Sequence, residues 1–232
     1  MRNPIGIGDA SEYDTNQYTD WNTARRSGCE FGIIRATTTG AWANGKPTIR
    51  QDNSFAMNCE RMLQAGIKRM SYAWFDPRYK VCNPVDQAMF FLQTIDKYGG
   101  AGELGPMIDI EDAPAAGIYS FVGVGTWIKL FLDTIELKLH KKPRIYTNLS
   151  YVSAYLFNSQ VKETWLNDYG LVIANWGVAA PWVPQPWAPT GWDCWQYRAD
   201  APGKYYGFYH PLGIQYNAPN ICLAVWNGTL PV

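Results

Sequence analysis

Asp109 and Glu111 stand one isoleucine apart in the run Ile108-Asp109-Ile110-Glu111-Asp112. Apolar and acidic residues alternate there with the period of a strand, which puts the two carboxylates on one side. Two acids at one strand end can address a single substrate bond. Like charges a few ångströms apart repel and split their pKa values, leaving one acid protonated and the other ionised, as glycoside cleavage requires. A solvent-facing strand would carry the same pattern, so the pair alone leaves both readings open. Other strand ends add to it. Asp9, Tyr146, Asn148, Asn175 and Gln196 all close strand-like runs, and in an α/β barrel the carboxyl ends of strands converge on the catalytic face. Taken singly, Asn148 and Asn175 read more readily as turn caps. Trp182, Trp187, Trp192 and Trp195 crowd around four prolines, a composition that suits a wall for stacking flat sugar rings.

Other chemistries fit less well. The two histidines occupy a helix end (His140) and a Tyr/Pro-rich stretch (His210), and no HExxH or paired Cys/His spacing is present, so no metal site is expected. No GxSxG occurs, and no cysteine has a histidine beside it. Gly100-Ala101-Gly102-Glu103-Leu104-Gly105 matches GxGxxG in form, but it follows a helix and precedes a strand, the reverse of the dinucleotide-binding context. It reads as a turn. No cofactor is expected.

The elements that must position these residues follow from periodicity. Strand-like runs begin near Ile5, Phe31, Arg69, Ile108, Arg144, Leu171, Trp192 and Ile221. Helical spacing fills four gaps: Asp20 to Ser27, Phe55 to Gly66, Asn83-Pro84 to Tyr98, and a long helix from about Ser120 to Lys142. That long helix groups Trp127, Leu130, Phe131, Thr134 and Leu137 on one face. Residues 38–51 read as a loop. Strands alternating with helices imply βαβ units and a parallel sheet. Past Trp176 the helical patterns stop, and Pro181 to Pro189 reads as loop. Neither an internal repeat nor a linker divides the 232 residues. The expectation is one α/β domain over residues 1–232, an irregular β/α (TIM-like) barrel with few helices in its last third.

Zero net charge gives no electrostatic footprint for nucleic acid or an anionic membrane. No apolar stretch is long enough to span a bilayer. Five cysteines without a CxxC pair do not make a disulfide scaffold. Met1-Arg2-Asn3-Pro4 leads straight into a strand-like run, without the apolar core of a classical signal peptide. The protein is expected to be made in the cytoplasm and to work as a monomer.

Seven segments, in order along nearly the whole chain, carry a resemblance to the family 25 glycoside hydrolases, the N-acetylmuramidase lysozymes common among phage endolysins. They are Gly8-Asp9-Ala10-Ser11, Asp20-Trp21 through Thr37, Ser71-Tyr72-Ala73-Trp74-Phe75, Ile108-Asp109-Ile110-Glu111, Ile145-Tyr146-Thr147-Asn148, Ile173-Ala174-Asn175-Trp176 and Trp195-Gln196-Tyr197. The resemblance implies a flattened barrel with a groove at the carboxyl ends of its strands. It also implies hydrolysis of the β-1,4 bond between N-acetylmuramic acid and N-acetylglucosamine in bacterial cell-wall peptidoglycan, reached after release from the cell. On that reading Glu111 is the general acid, its pKa raised by Asp109 and partial burial, with Asp109 and Asp9 as acidic companions. Tyr72 and Tyr146 contact the substrate, and Asn148, Asn175, Trp176, Trp195 and Gln196 complete the binding surface. The family pattern is broken twice. Ala73 stands where a histidine is usual, and Cys222 where the last strand usually carries an acid, with Asp193 or Asp200 as conceivable substitutes. A wall-binding module that has lost the chemistry and a chitinase-like glycosidase are the alternatives.

Overall fold

The computed structural model describes residues 2–15, 19–43, 46–77, 82–111, 123–209 and 219–231, without the side chains of residues 40–43, 46 and 47. Asp112, the expected helix start near Ser120, and His210 lie outside the described residues. Nine strands are seen among the described residues: β1 Ile5–Ala10, β2 Cys29–Ala43, β3 Lys46–Gln51, β4 Lys68–Trp74, β5 Gly105–Asp109, β6 Arg144–Asn148, β7 Leu171–Ala174, β8 Cys194–Pro202 and β9 Asn220–Trp226. Eight close into a barrel in the order β1-β9-β8-β7-β6-β5-β4-β2, with β2 paired back onto β1. This is the irregular β/α barrel expected from the sequence.

Two features depart from expectation. The stretch 38–51 is a β-hairpin, not a loop: β2 continues to Ala43 and β3 returns antiparallel to it outside the barrel. Threonine-rich strand ends around Asn44-Gly45, a strong hairpin dipeptide, account for this. The sheet is also not wholly parallel, because β9 runs antiparallel to both β8 and β1. A parallel neighbour needs a crossover connection, usually helical, and between β8 and β9 the described residues hold only a short 3-10 turn, Gly203–Tyr206.

The helices are α1 Trp21–Arg26, α2 Phe55–Ala65, α3 Pro84–Asp96 and α4 Val124–Leu139. Asp20 caps α1 by accepting from the Asn22 N–H, and Asn83 caps α3 ahead of Pro84. The buried side of α4 consists of Val124, Ile128, Phe131, Leu132 and Ile135. Of the face expected from the sequence Phe131 belongs to it and Trp127 packs against the core half-buried, while Leu130 and Leu137 are exposed. The helix is apolar on more than one side, and the expected stripe overlaps the buried one only at its edge. The GxGxxG segment is the α3–β5 turn, with Gly100, Gly102 and Gly105 all at positive φ. A Cβ on Gly102 would lie 2.4 Å from the Arg69 carbonyl oxygen.

Strand alternation sorts the core into two layers. Ile34, Ala73, Ile108, Ile110, Ile145, Leu171 and Ile173 face the helices. Phe31, Ile33, Met70, Tyr72, Met107, Tyr146, Val172, Ala174, Cys194, Ala224 and Trp226 fill the barrel. In β1 the sequence Ile5-Gly6-Ile7-Gly8 keeps the inward positions empty of side chains. A Cβ on Gly8 would sit 3.0 Å from Gln196 Cγ and 3.2 Å from Ala224 Cβ. Gly8 thereby lets Gln196 lie against β1.

Candidate active site

The inward positions at the carboxyl ends of the strands form the mouth of the barrel, and they carry most of the expected site. Tyr72 on β4 donates from its hydroxyl to Asp9 Oδ1 at 2.5 Å, joining β4 to β1 across β2. Asp9 keeps some exposure to the mouth, but burial pushes its carboxyl up to about 6; the Tyr72 hydrogen bond opposes this and the nearby Asp14 charge adds to it. Burial likewise drives the Tyr72 phenol well above its usual range, helped by Asp9. It therefore stays protonated and donates.

Asp109 ends β5 and is buried. Glu111 lies two residues beyond the strand end and is exposed, not partly buried as expected. Its base is fixed by Ile110, whose N–H donates to the Tyr146 carbonyl at 3.0 Å and whose carbonyl accepts from Thr147 Oγ1 at 3.0 Å. The acidic pair thus divides into one buried and one water-facing carboxyl, because the sheet stops between them. Both converge on Tyr146. Its phenol is raised first by burial and then by the charges of Glu111, Asp109 and Asp9.

The Tyr146 hydroxyl donates to Gln196 Oε1 at 3.0 Å, and the same oxygen accepts from Trp176 Nε1 at 2.9 Å. Gln196 is buried on β8, and its Nε2 faces the Gly8 carbonyl at 3.5 Å. The structure therefore brings Asp9, Tyr72, Asp109, Glu111, Tyr146, Gln196 and Trp176 together.

Three expected binding residues are placed otherwise. Asn148 Oδ1 caps the helical turn after β6 by accepting from the Tyr151 N–H. Asn175 Oδ1 accepts from the Trp182 N–H, and its carbonyl accepts from Trp195 Nε1 at 2.7 Å. Trp195 sits between the inward Cys194 and Gln196, so its ring lies on the outer face among Trp192 and Tyr197. The expected tryptophan wall is reduced accordingly. Trp187 is core, with its Nε1 bonded to the Tyr169 carbonyl, and Trp192 packs against Trp195. Trp182 and Trp176, 70% and 54% exposed, are the ones that offer open rings.

The two breaks in the family pattern fall in different places. Ala73 faces the helix layer, so no mouth group is lost there. Cys222 is paired directly opposite Asp9 across β1 and β9, at the mouth, and is partly exposed. Burial and the charges of Asp9, Asp14 and Glu111 push its thiol up to about 12, so it contributes no charge. Asp193 does not substitute, since it pairs with Arg144 at 2.7 Å at the opposite, amino end of the strands. Asp200 pairs with Arg198 on the exposed part of β8.

Four residues at the mouth escaped the sequence reading. Trp74 is the next inward position after Tyr72 and neighbours Asp109 in register; period two from Tyr72 would have found it. Asp14, whose carboxyl burial raises, accepts from the Ser11 N–H and Oγ. Arg35, inward on β2, is held by Asp52 at 2.8 Å and Glu12 at 3.3 Å. Glu12 also binds Arg50. The partners of Arg35 and Glu12 are distant in sequence, and no local pattern announces them. No cluster of potential metal ligands occurs among the described residues, and no helix there is long and apolar enough to cross a membrane.

A closed barrel with acids of unlike environment around one mouth defines a fold and site suited to acid/base attack on a glycosidic bond. The family model described as "Glycosyl hydrolases family 25" matches residues 8–205, and the chain belongs to that family. It is 27% identical over 188 residues to Lysozyme M1 of Streptomyces globisporus, covering 78% of this chain and 58% of that protein. It is 25% identical over 193 residues to the N,O-diacetylmuramidase of Chalaropsis sp, covering 79% and 82%. The chain thus spans less than two thirds of the first relative's length. Among solved structures, the bacterial lysozyme from Streptomyces coelicolor superposes with a TM-score of 0.75 at 23% identity, covering 99% of this chain and 94% of that one.

Proposed function

We propose that the protein is a peptidoglycan hydrolase that cleaves the β-1,4 bond between N-acetylmuramic acid and N-acetylglucosamine in the bacterial cell wall. The observation that carries this reading is the meeting of Asp9, Asp109 and Glu111 around the two buried tyrosines of one barrel mouth, in a chain of this family. Glu111, water-facing at the end of an anchored strand, protonates the leaving glycosidic oxygen. Buried Asp109 is the fixed negative charge beside the positive charge that grows at the anomeric carbon. Asp9, held by Tyr72, is the third acid, and its ionisation near pH 6 sets an acid limb on the rate. Gln196 fixes the Tyr146 hydroxyl and the Trp176 indole, presenting a ring for sugar stacking at the groove edge.

The test is product analysis on defined peptidoglycan. New muramic reducing ends from the wild-type protein, and none from Glu111→Gln, are the expected result. Equal clearing of a wall suspension by that variant would overturn the assignment of the acid, and absence of any new reducing end would overturn the activity.

A further inference from the structure

Tyr13 sits in the turn after β1, four residues past Asp9, and is 77% exposed. An isolated exposed aromatic needs no explanation. Tyr13 differs in what lies behind it. Its ring lies over the Arg35 guanidinium, whose carbon is 5.0 Å from the ring centroid. Arg35 is itself buried and clamped by Asp52 and Glu12. The turn is held as tightly. The Glu12 N–H donates to Asp52 Oδ2 at 3.0 Å, Asp14 Oδ2 takes the Ser11 hydroxyl at 2.9 Å, and Thr15 Oγ1 donates to the Ser11 carbonyl at 2.7 Å. The chain has fixed one face of an aromatic ring against a buried cation and left the other face to solvent.

The position of that ring follows from the strand order. Tyr13 follows β1 and lies over Arg35 of β2, and in the order β1-β9-β8-β7-β6-β5-β4-β2 the strand β7 is three places from β1 and four from β2. Trp176 follows β7 and is fixed by Gln196. Tyr13 and Trp176 therefore leave the barrel from well-separated strands of one rim, and Asp9, Tyr72 and Tyr146 belong to the same mouth. Rigid aromatic rings lose little conformational entropy on stacking, and pyranose rings present flat C–H faces to them.

We propose that Tyr13 is a sugar-stacking platform on the rim beside β1 and β2, reached by a long glycan strand and out of reach of a disaccharide seated at the acids. This rests on the muramidase reading above for the identity of the sugar. The test uses glycan strands stripped of stem peptides, as a disaccharide and an octasaccharide, titrated calorimetrically into protein carrying Glu111→Gln so that nothing is turned over. Adding Tyr13→Ala is expected to weaken octasaccharide binding about five- to tenfold and disaccharide binding less than about twofold. Tyr13→Phe leaves both unchanged, and the melting temperature is the same in all three proteins. Unchanged octasaccharide affinity in Tyr13→Ala, or an equal loss for both lengths, overturns the proposal. If the wild-type protein opens no bond in these strands, the muramidase reading fails, while the binding comparison still decides Tyr13. No measurable octasaccharide binding by the parent would overturn both.

Discussion

The mouth of the barrel has two unlike halves. From β1 through β2 and β4 to β5 it is charged: Asp9, Glu12, Asp14, Arg35, Asp52, Asp109 and Glu111 lie there. From β6 through β7 and β8 to β9 it is neutral, with Tyr146, Trp176, Gln196 and Cys222. The halves also differ in how they are backed. In the charged half β2, β4 and β5 follow α1, α2 and α3, whereas in the neutral half β6 follows α4 but β8 and β9 follow no α-helix among the described residues. A charged half can move protons and stabilise a developing cation, and a neutral, amide-and-indole half can hold a sugar without competing for the proton. The division of labour is testable residue by residue.

The largest effect is expected on the charged side. Glu111→Gln removes the transferable proton without changing shape, and kcat should fall by about 10²–10⁴ with KM little altered. Single-turnover assays on soluble glycan strands would show it, and a loss confined to KM would erase the contrast between the halves. On the neutral side Gln196→Ala removes the acceptor shared by Tyr146 and Trp176. KM should rise about tenfold with kcat falling much less, and unfolding free energy should drop by about 1–3 kcal/mol, since the buried Tyr146 hydroxyl is left unpaired. A kcat loss as large as that of Glu111→Gln would place Gln196 in the chemistry.

Asp9→Asn tests the cost of keeping an acid in the charged half. The folded protein raises this carboxyl from 3.8 to about 6, so between those values the native state holds more protons than the unfolded chain, and stability falls as pH rises through the window. The variant should therefore be more stable than wild type at pH 7, by about 1–2 kcal/mol after allowance for its partial exposure, and equal to it at pH 3.5. Urea unfolding at the two pH values measures this. The same substitution should remove the acid limb of the rate near pH 6.

The two halves were not equally legible from sequence. Asp109 and Glu111 announce themselves by a period-two alternation, and the helices between β3 and β6 by caps such as Asn83-Pro84. Asp9 and Gln196 were reached as polar ends of strand-like runs, a rule that barrel geometry makes physical. It fails where a polar side chain serves its own turn, as Asn148 and Asn175 do. It also fails where parity is ignored: Trp195 is one residue from Gln196 and faces the other way. The Arg35–Asp52–Glu12 network could not be read, because its partners lie 17 and 23 residues apart. The direction of β9 is illegible in its own residues, since the connection from β8 sets it.

Cys222 is where the halves meet, directly opposite Asp9 and on the neutral side. Cys222→Asp would carry charge across the boundary. A second carboxylate facing Asp9 disfavours ionisation of both, so the Asp9 pKa must rise further above about 6. The acid limb of the rate should move upward by about one pH unit or less, the mouth being partly open to water. Stability should decline more steeply than in wild type between pH 5 and 8, because the folded state now binds the Asp9 proton more tightly over a wider range. Cys222→Asn, similar in size and uncharged, should leave both profiles where they were. An unmoved limb in Cys222→Asp would mean that Asp9 does not sense β9, and the boundary between the halves would then be a true electrostatic divide. A shift in both variants would assign the effect to shape, and Cys222 would act on Asp9 through packing alone.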